Sequence, residues 1–369
     1  MGKVRVAVVG LGFGAEFVPI YQAWDQTECV AVCRRDPKKL NAFGDRFGIS
    51  KRYTDYMELL KDPEIDAVHI NSDPYSHGWM AIEALKAGKH VASTVSMAMN
   101  AEECREIVRL EEETGKVYMM METAVYTREF LYFKQLYDAG EVGRLQFLRG
   151  SHQQNMSLPG WPDYWYGMPP MWYPTHAVAP LSAILGKPVS EVRCVGSGRI
   201  REDYARRYNS PFAAESMQLR FKDSDVAGEV TRTMFDTIRQ YRESFDFYGT
   251  KKSFEWAQIA GENPVIYSGF EDAERVAVPD TDALLPDSIA SFARRPGFID
   301  ADHVAVIQGD DHGGSHPHVA YQWIRAIQEG RPAPVSARVA ANWTVVGFLA
   351  HESAMQGGKA MEMPEWTLF

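Results

Sequence analysis

Tyr173 and His176 stand three residues apart in the run WYPTH. A phenol and an imidazole are groups that can hold or move a proton. If that stretch begins a helix, the two share a face, and Pro174 is tolerated in a first turn. Hydride removal from a secondary alcohol needs a base for the hydroxyl proton, and an elimination needs a group to take a carbon-bound proton. His176 titrates nearest neutrality and is the candidate base. Tyr173, with a reference pKa of about 10, is the candidate partner base or hydrogen-bond donor. The same spacing also fits a buried Tyr-His pair that only satisfies backbone groups. Glu122, Tyr126 and His152 are further pocket candidates, although for these three a structural role is the stronger reading. His312, His316 and His318 fall within seven residues and could collect zinc. No cysteine or carboxylate pattern accompanies them beyond Asp310 and Asp311, and Gly313-Gly314 marks a turn, so no metal is expected.

These side chains need elements to position them, and the clearest lie at the start of the chain. Val4 to Val9 (VRVAVV) is a nearly unbroken apolar run of strand length, as in a parallel sheet covered on both faces. Gly10, Gly12 and Ala15 follow in G-x-G-x-x-A spacing. Gly10 permits the tight turn, Gly12 lets a pyrophosphate approach the backbone, and Ala15 lets the next helix pack closely. With Phe13 and Gly14 they make a candidate dinucleotide turn, and a helix from about Phe13 to Trp24 points its first amides at the phosphates.

A second strand, Cys29 to Cys33, ends in Arg34 and Arg35, where dinucleotide folds often carry an acidic residue for the ribose hydroxyls. Arginine there holds a 2′-phosphate or stacks on adenine, which leaves NADP open beside NAD. A solvated pair of charges at a strand end reads the same way. Asp36-Pro37 starts a helix reaching Phe47. The strand Ala67 to Asn71 runs into NSDPYSH, whose Asn71, Asp73 and His77 are cofactor-side candidates, and a helix from Ser76 to Ala87 stops at Gly88. The strand His90 to Thr94 adds Thr94 to those candidates. A helix from Ala101 to Thr114, closed by Gly115, and a strand from Val117 to Met121 complete the series. This alternation predicts α/β architecture with a doubly wound parallel sheet.

After Thr123 the rhythm changes. A helix from about Arg128 to Ala139 leads into strands at Leu145 to Gln153, Val189 to Ser197, Glu215 to Phe221, Val226 to Met234, Ser244 to Gly249 and Lys252 to Trp256. They predict a second, α+β domain on an open, mainly antiparallel sheet, and so a boundary between residues 1–123 and 124–369. Asn155 to Thr175, rich in Pro, Trp, Tyr and Met, reads as a substrate-lining loop or as core. A last helix spans Val335 to Met355. At 369 residues the chain can bury two cores. Its formal charge of -10 argues against a nucleic-acid surface. The four scattered cysteines read as reduced thiols. No run is long enough to span a bilayer and no signal peptide precedes the first strand, so no membrane partner and a cytoplasmic location are expected.

The glycine loop, DPKKLNAFGDRFGI, Ala67 to His77, AGKHV and the closing HESAMQGGKAMEMPEW together resemble the Gfo/Idh/MocA family of sugar and cyclitol oxidoreductases. The resemblance implies an NAD(P)-binding Rossmann domain and a sheet domain that also forms a subunit interface, giving a dimer or tetramer, with nicotinamide reaching the cleft between domains. One departure matters. Where plain dehydrogenases of the family show E-K-P, this chain has Thr94, Val95 and Ser96, and valine cannot carry a proton. The family's aspartate before the second-domain histidine aligns with Trp172, while the histidine is kept as His176.

Those changes resemble the NAD-dependent glycoside hydrolases of the α-N-acetylgalactosaminidase type. That branch is also similar in METAVYTRE, GEVGRLQFLRGSHQQ, YPTH and HGGSH. It implies recycled NAD, with oxidation of the sugar C3 hydroxyl, elimination, hydration and re-reduction. It further implies His312 and His316 beside the substrate, with Trp172 as another substrate-side residue. A net sugar, glycoside or cyclitol dehydrogenase, or a non-catalytic sugar or nucleotide sensor, remain the alternatives.

Overall fold

The computed structural model describes residues 2–294 and 311–369. The chain divides into two compact units, Met1–Tyr126 with Asp280–Ala341, and Thr127–Pro279 with Asn342–Phe369.

The first unit is built on six parallel strands, β1 (Val4–Val9), β2 (Thr27–Cys33), β3 (Lys51–Tyr53), β4 (Ala67–Ile70), β5 (His90–Ser93) and β6 (Tyr118–Met120). Their order is β3-β2-β1-β4-β5-β6. That is the doubly wound arrangement, with strand order reversing beside β1. The apolar run at the start of the chain therefore becomes a central strand, and Val6, Ala7 and Val8 are wholly buried.

Between the strands run α1 (Val18–Ala23), α2 (Pro37–Phe47), α3 (Tyr56–Leu60), α4 (Pro74–Lys86) and α5 (Ala101–Thr114). The caps follow the sequence: the Asp36, Asp55 and Asn100 side chains accept first-turn amides, and Gly48 and Gly115 end α2 and α5 in the left-handed region. The helix expected from Phe13 to Trp24 is instead a 3-10 turn, Phe13–Glu16, followed by α1. Pro19 has no amide to bond back to Ala15, so one continuous helix is interrupted there.

Residues 280–341 pack with this unit, although the sequence reading placed everything after residue 123 in the second domain. The helix His316–Glu329 carries Val319, Ala320, Trp323 and Ile324 on one buried face. Trp323 lies 6.2 Å from the Tyr21 ring and 6.1 Å from His69. The Met120 amide donates to the Val335 carbonyl at 3.1 Å. The Glu111 carboxylate accepts the amides of Tyr118 at 2.9 Å and Ala337 at 3.0 Å. A cover for the Rossmann helices was thus encoded far from them in sequence.

The second unit holds α6 (Arg128–Asp138) and α7 (Thr175–Leu185) over nine strands. These are β7 (Leu145–Gln153), β8 (Val189–Ser197), β9 (Ala214–Phe221), β10 (Ala227–Thr233), β11 (Arg242–Gly249), β12 (Ser253–Glu255), β13 (Val265–Tyr267), β14 (Ala273–Arg275) and β15 (Met361–Glu362). Their order is β14-β13-β12-β11-β7-β10-β9-β8-β15, and every pairing is antiparallel except β7 with β10. The α+β expectation holds, with three more short strands than the sequence suggested.

Alternation divides the faces of this sheet. Phe130 and Phe133 of α6 pack on Phe245, Phe247 and Phe254. Gly150 and Gly228 let α7 come close: a Cβ on Gly150 would lie 2.0 Å from the Ala177 carbonyl oxygen, and one on Gly228 would lie 2.9 Å from Leu181. The opposite face presents exposed Arg193, Val195, Ser216, Gln218 and Arg220. From Asn342 on, the helix Ala337–Met355 is fastened to β8: the Asn342 side chain brackets both backbone groups of Val189, and the Cys194 amide donates to Ser353. At the end of the chain Met361–Glu362 pairs along β8, whose edge offers unpaired backbone groups. Among the described residues, no helix is long and apolar enough to cross a membrane.

Candidate functional site

In the first unit the glycine turn sits where the strand order reverses. The Gly10 amide donates to the Cys33 carbonyl at 3.0 Å, and the Asn71 amide to the Val9 carbonyl at 2.7 Å, so the turn is held between β2 and β4. Gly10 has φ +84°, and a Cβ there would lie 2.4 Å from the Asn71 carbonyl oxygen. Only glycine fits. A Cβ on Gly12 would meet nothing within 4 Å, which leaves room for a bulky group against the backbone. A Cβ on Gly14 would be 3.0 Å from Val8 and 3.1 Å from the Asn71 side chain. The Asn71 amide nitrogen donates to the His69 carbonyl, whereas its Oδ1 is buried with no partner among the described residues. A buried acceptor beside an open, glycine-lined turn suits a ribose hydroxyl and a pyrophosphate, so these residues fit a dinucleotide.

Asp73 precedes α4 and accepts from the Ser76 hydroxyl at 2.8 Å. His77 is a brace: Nδ1 lies 2.8 Å from the Ser96 carbonyl, and Nε2 lies 3.0 Å from the Ser72 carbonyl and 3.1 Å from the Thr94 hydroxyl. Burial holds its pKa below the usual histidine value. A neutral ring donating from Nδ1 to Ser96 can accept from Thr94, which ties the loops after β4 and β5 together. Val95 is buried, and its bond to Ser96 is cis. The position that would carry a lysine is therefore apolar.

Arg34 and Arg35 follow β2 directly, half-buried and exposed respectively. Phe13 meets the rings of His312 and His316 edge-on at 5.7 and 5.4 Å. His316 Nδ1 lies 3.0 Å from the Glu16 carboxylate, and His316 Nε2 lies 3.1 Å from His312 Nδ1. The structure thus gathers His312 and His316 at the glycine turn and adds Glu16, which the sequence reading missed. His318 goes elsewhere, to the Thr281 hydroxyl at 2.7 Å and flat against Tyr126, whose phenol burial pushes up. Asp310 lies outside the described residues. Glu122 is wholly buried and accepts the Ala124 amide at 3.0 Å, capping the turn Thr123–Val125.

In the second unit three neighbouring strands set a polar row. His152 on β7 is in register with Arg232 on β10 and with Glu243 on β11. Over this row lie Tyr173 and His176. Tyr173 ends the turn Pro170–Trp172 and lies outside α7, which begins at Thr175 after Pro174, so the pair meets across a bend and not along a helical face. The Tyr173 hydroxyl is 3.4 Å from His176 Nε2. That nitrogen is 3.6 Å from the Glu243 carboxylate, and His152 Nε2 is 3.9 Å from the same carboxylate. The Tyr241 hydroxyl donates to Glu243, and burial together with that carboxylate raises its pKa well above 10.0.

Arg232 is wholly buried. It donates to the carbonyls of Tyr173 (3.2 Å), His152 (3.2 Å) and Thr233 (2.6 Å), and to the Gln154 side chain (2.8 Å). Burial lowers its pKa to about 10. Two imidazoles, two phenols and a carboxylate, with a guanidinium holding the backbone beneath, can accept and relay protons. Glu243, Tyr241 and Arg232 were missed by the sequence reading. Arg232 had a signal, a charge in the buried phase of an alternating strand with Gly228 and Val230.

Trp172 belongs to another group. Its ring meets Tyr208, Phe348 and His351 at 5.8, 5.9 and 6.2 Å. His351 Nδ1 lies 2.6 Å from Glu215, whose other oxygen accepts the Met171 amide at 2.7 Å.

Residues 4–122 match the model of an oxidoreductase family with an NAD-binding Rossmann fold, GFO_IDH_MocA. A glycosyl hydrolase family 109 protein of Shewanella pealeana is 26% identical over 100% of this chain and 86% of its own length. An α-N-acetylgalactosaminidase of Shewanella oneidensis is 25% identical with the same coverage. Among solved structures, levoglucosan dehydrogenase in complex with NADH and levoglucosan has a TM-score of 0.79 at 20% identity, covering 98% of this chain and 100% of that one. A probable dehydrogenase from Thermotoga maritima has a TM-score of 0.75 at 18% identity, covering 97% and 98%. These structural likenesses speak for the fold.

Proposed function

We propose, from a chain whose first unit is the NAD-binding Rossmann domain of the Gfo/Idh/MocA oxidoreductases, that this enzyme cleaves glycosides by transient oxidation of a ring carbon, elimination, addition of water and re-reduction. The net reaction is hydrolysis, and the redox steps cancel. Relatives named for glycoside hydrolysis support it. The observation that carries it is the buried Tyr173–His176–Glu243–His152 group, in a chain with valine at position 95.

A bound nicotinamide supplies a reversible hydride acceptor. The chain's own residues handle the protons. His176 Nε2 takes the hydroxyl proton, and Glu243 lies where positive charge then develops on the ring. The Tyr241 hydroxyl holds that carboxylate in place. Tyr173, sharing the same nitrogen, serves the carbon-bound proton or the leaving oxygen. Arg232 fixes the backbone of Tyr173 and His152 through their carbonyls, which limits the reorganisation needed.

The test is a panel of nitrophenyl glycosides in deuterated water, with no dinucleotide added. Aryl release with deuterium at C2 of the sugar is the expected result. In a parallel assay with NAD or NADP supplied, accumulation of reduced nicotinamide stoichiometric with sugar oxidised, without deuterium at C2, would make the enzyme a net dehydrogenase, the reading favoured by structural neighbours such as levoglucosan dehydrogenase. Binding of cofactor and sugar with no turnover would make it a sensor. The exposed face of the second sheet is the surface to which this reading assigns pairing of copies into a dimer or tetramer. Four buried free cysteines fit a reducing, cytoplasmic compartment.

A further inference from the structure

The loop after β2 places four cations and one carboxylate in residues 34–39, Arg34, Arg35, Asp36, Lys38 and Lys39, on a chain of net charge -10. Its position is fixed. The Gly10 amide bonds to Cys33, the last residue of β2, and the Arg34 amide bonds to the Tyr53 carbonyl at 3.0 Å, extending the ladder onto β3. Arg34 is therefore anchored at the carboxyl rim of the sheet beside the glycine turn. In dinucleotide folds that rim, about 20 residues past the glycines, takes the adenosine ribose, and an acidic side chain there accepts from its two hydroxyls. Here the position is an arginine. The only carboxylate in the loop, Asp36, accepts the Lys39 amide at 3.1 Å and caps α2.

Among the described residues, neither the Arg34 nor the Arg35 guanidinium has a hydrogen-bond or ion-pair partner. By contrast Arg5, Arg52 and Arg109 of the same unit are each paired with a carboxylate. Lys38 and Lys39 add positive charge to the first turn of α2, where a helix favours anions. Two guanidiniums without partners among the described residues, at the ribose rim, suit a phosphate monoester, while Asp36, the loop's own carboxylate, is taken up by the α2 cap and is not free to accept from a bare 2′-hydroxyl.

We propose that this protein prefers the 2′-phosphorylated dinucleotide, NADP, over NAD, with Arg34 and Arg35 holding the 2′-phosphate. The proposal rests on the reading of the first unit as a dinucleotide domain and narrows it. It is tested on nucleotide-free full-length protein by calorimetric titration with NADP, NAD, 2′,5′-ADP and 5′-AMP. NADP is expected to bind at least tenfold more tightly than NAD, and 2′,5′-ADP at least tenfold more tightly than 5′-AMP. In the double variant Arg34→Ala/Arg35→Ala both preferences vanish while NAD affinity changes by less than threefold, and Arg34→Asp shifts the preference toward NAD. Thermal melting confirms that each variant is folded. Equal or tighter binding of NAD by the parent protein overturns the proposal. So does an equal loss of both nucleotides in the double variant, which would assign the arginines to a group the two share. Binding of neither nucleotide overturns the dinucleotide reading itself, and this inference with it.

Discussion

Replacing Gly150 by alanine tests how the group proposed to handle protons is held. The added methyl would lie 2.0 Å from the Ala177 carbonyl oxygen, 2.9 Å from its carbon and 3.1 Å from Leu181. Ordinary contact needs more than 3 Å, so α7 must retreat from β7 by about 1 Å, or the strand must bow. Overpacking of that kind costs roughly 1–3 kcal/mol. For a unit of this size the melting temperature then falls by about 2–12 °C. The same retreat moves His176, one residue before Ala177, away from His152, which stands two residues after Gly150 on the same face of β7. A displacement near 1 Å in a positioned base lowers turnover about 100-fold. Differential scanning fluorimetry reads the first effect, and steady-state rates on whichever glycoside the panel identifies read the second. A Gly150→Ala protein with unaltered melting and unaltered kcat would refute the close approach of α7 as the device that aims His176.

Three more outcomes follow from the same geometry. Gly10→Ala meets both a φ of +84° and the Asn71 carbonyl, and should lose more than tenfold in nucleotide affinity; unchanged titration curves would argue against the turn as the binding element. His176→Gln keeps the size of the side chain and should lower turnover by roughly 1,000-fold with nucleotide binding intact, whereas a fully active variant would remove His176 from the chemistry. Glu111 is raised from 4.5 to about 7, chiefly by burial and against the amides of Tyr118 and Ala337. A raised carboxyl favours the fold most below its unfolded value and loses that contribution as pH climbs through about 7, at most ~3 kcal/mol. Glu111→Gln should therefore flatten the decline in melting temperature between pH 5 and pH 8, and a parallel decline in both proteins would contradict the assignment.

The parts of the fold written locally were legible. VRVAVVGLGFGA carries its strand, its turn and its reason for glycine in twelve consecutive residues, and the capping residues Asp36 and Asn100 mark their helices directly. What required long-range pairing was not. Glu243 reads as one charge in RESFDFYG until β11 is set in register with β7, which brings it opposite His152. Tyr173 and His176 were found by their spacing, but the helical face proposed for them does not exist, since α7 starts after Pro174 and the pair meets across a bend. Trp172 and Tyr173 are adjacent in sequence and belong to different side-chain groups. The helix His316–Glu329 went unseen because its clustered histidines and Pro317 masked an apolar face whose cover, Tyr21 and His69, lies at the other end of the chain.

The split make-up of the first unit bears on how the chain is born. The segment supplying Trp323, Val335 and Ala337 leaves the ribosome only after residues 127–279 have been synthesised, roughly 10–30 s later at ordinary elongation rates. Through that interval the nascent sheet has its glycine turn, yet Tyr21 and His69 lack their lid and one oxygen of Glu111 lacks its amide. A nucleotide-competent domain is therefore a late event in translation, and a premature stop anywhere before residue 316 leaves a greasy, half-finished product for chaperones and proteases to remove.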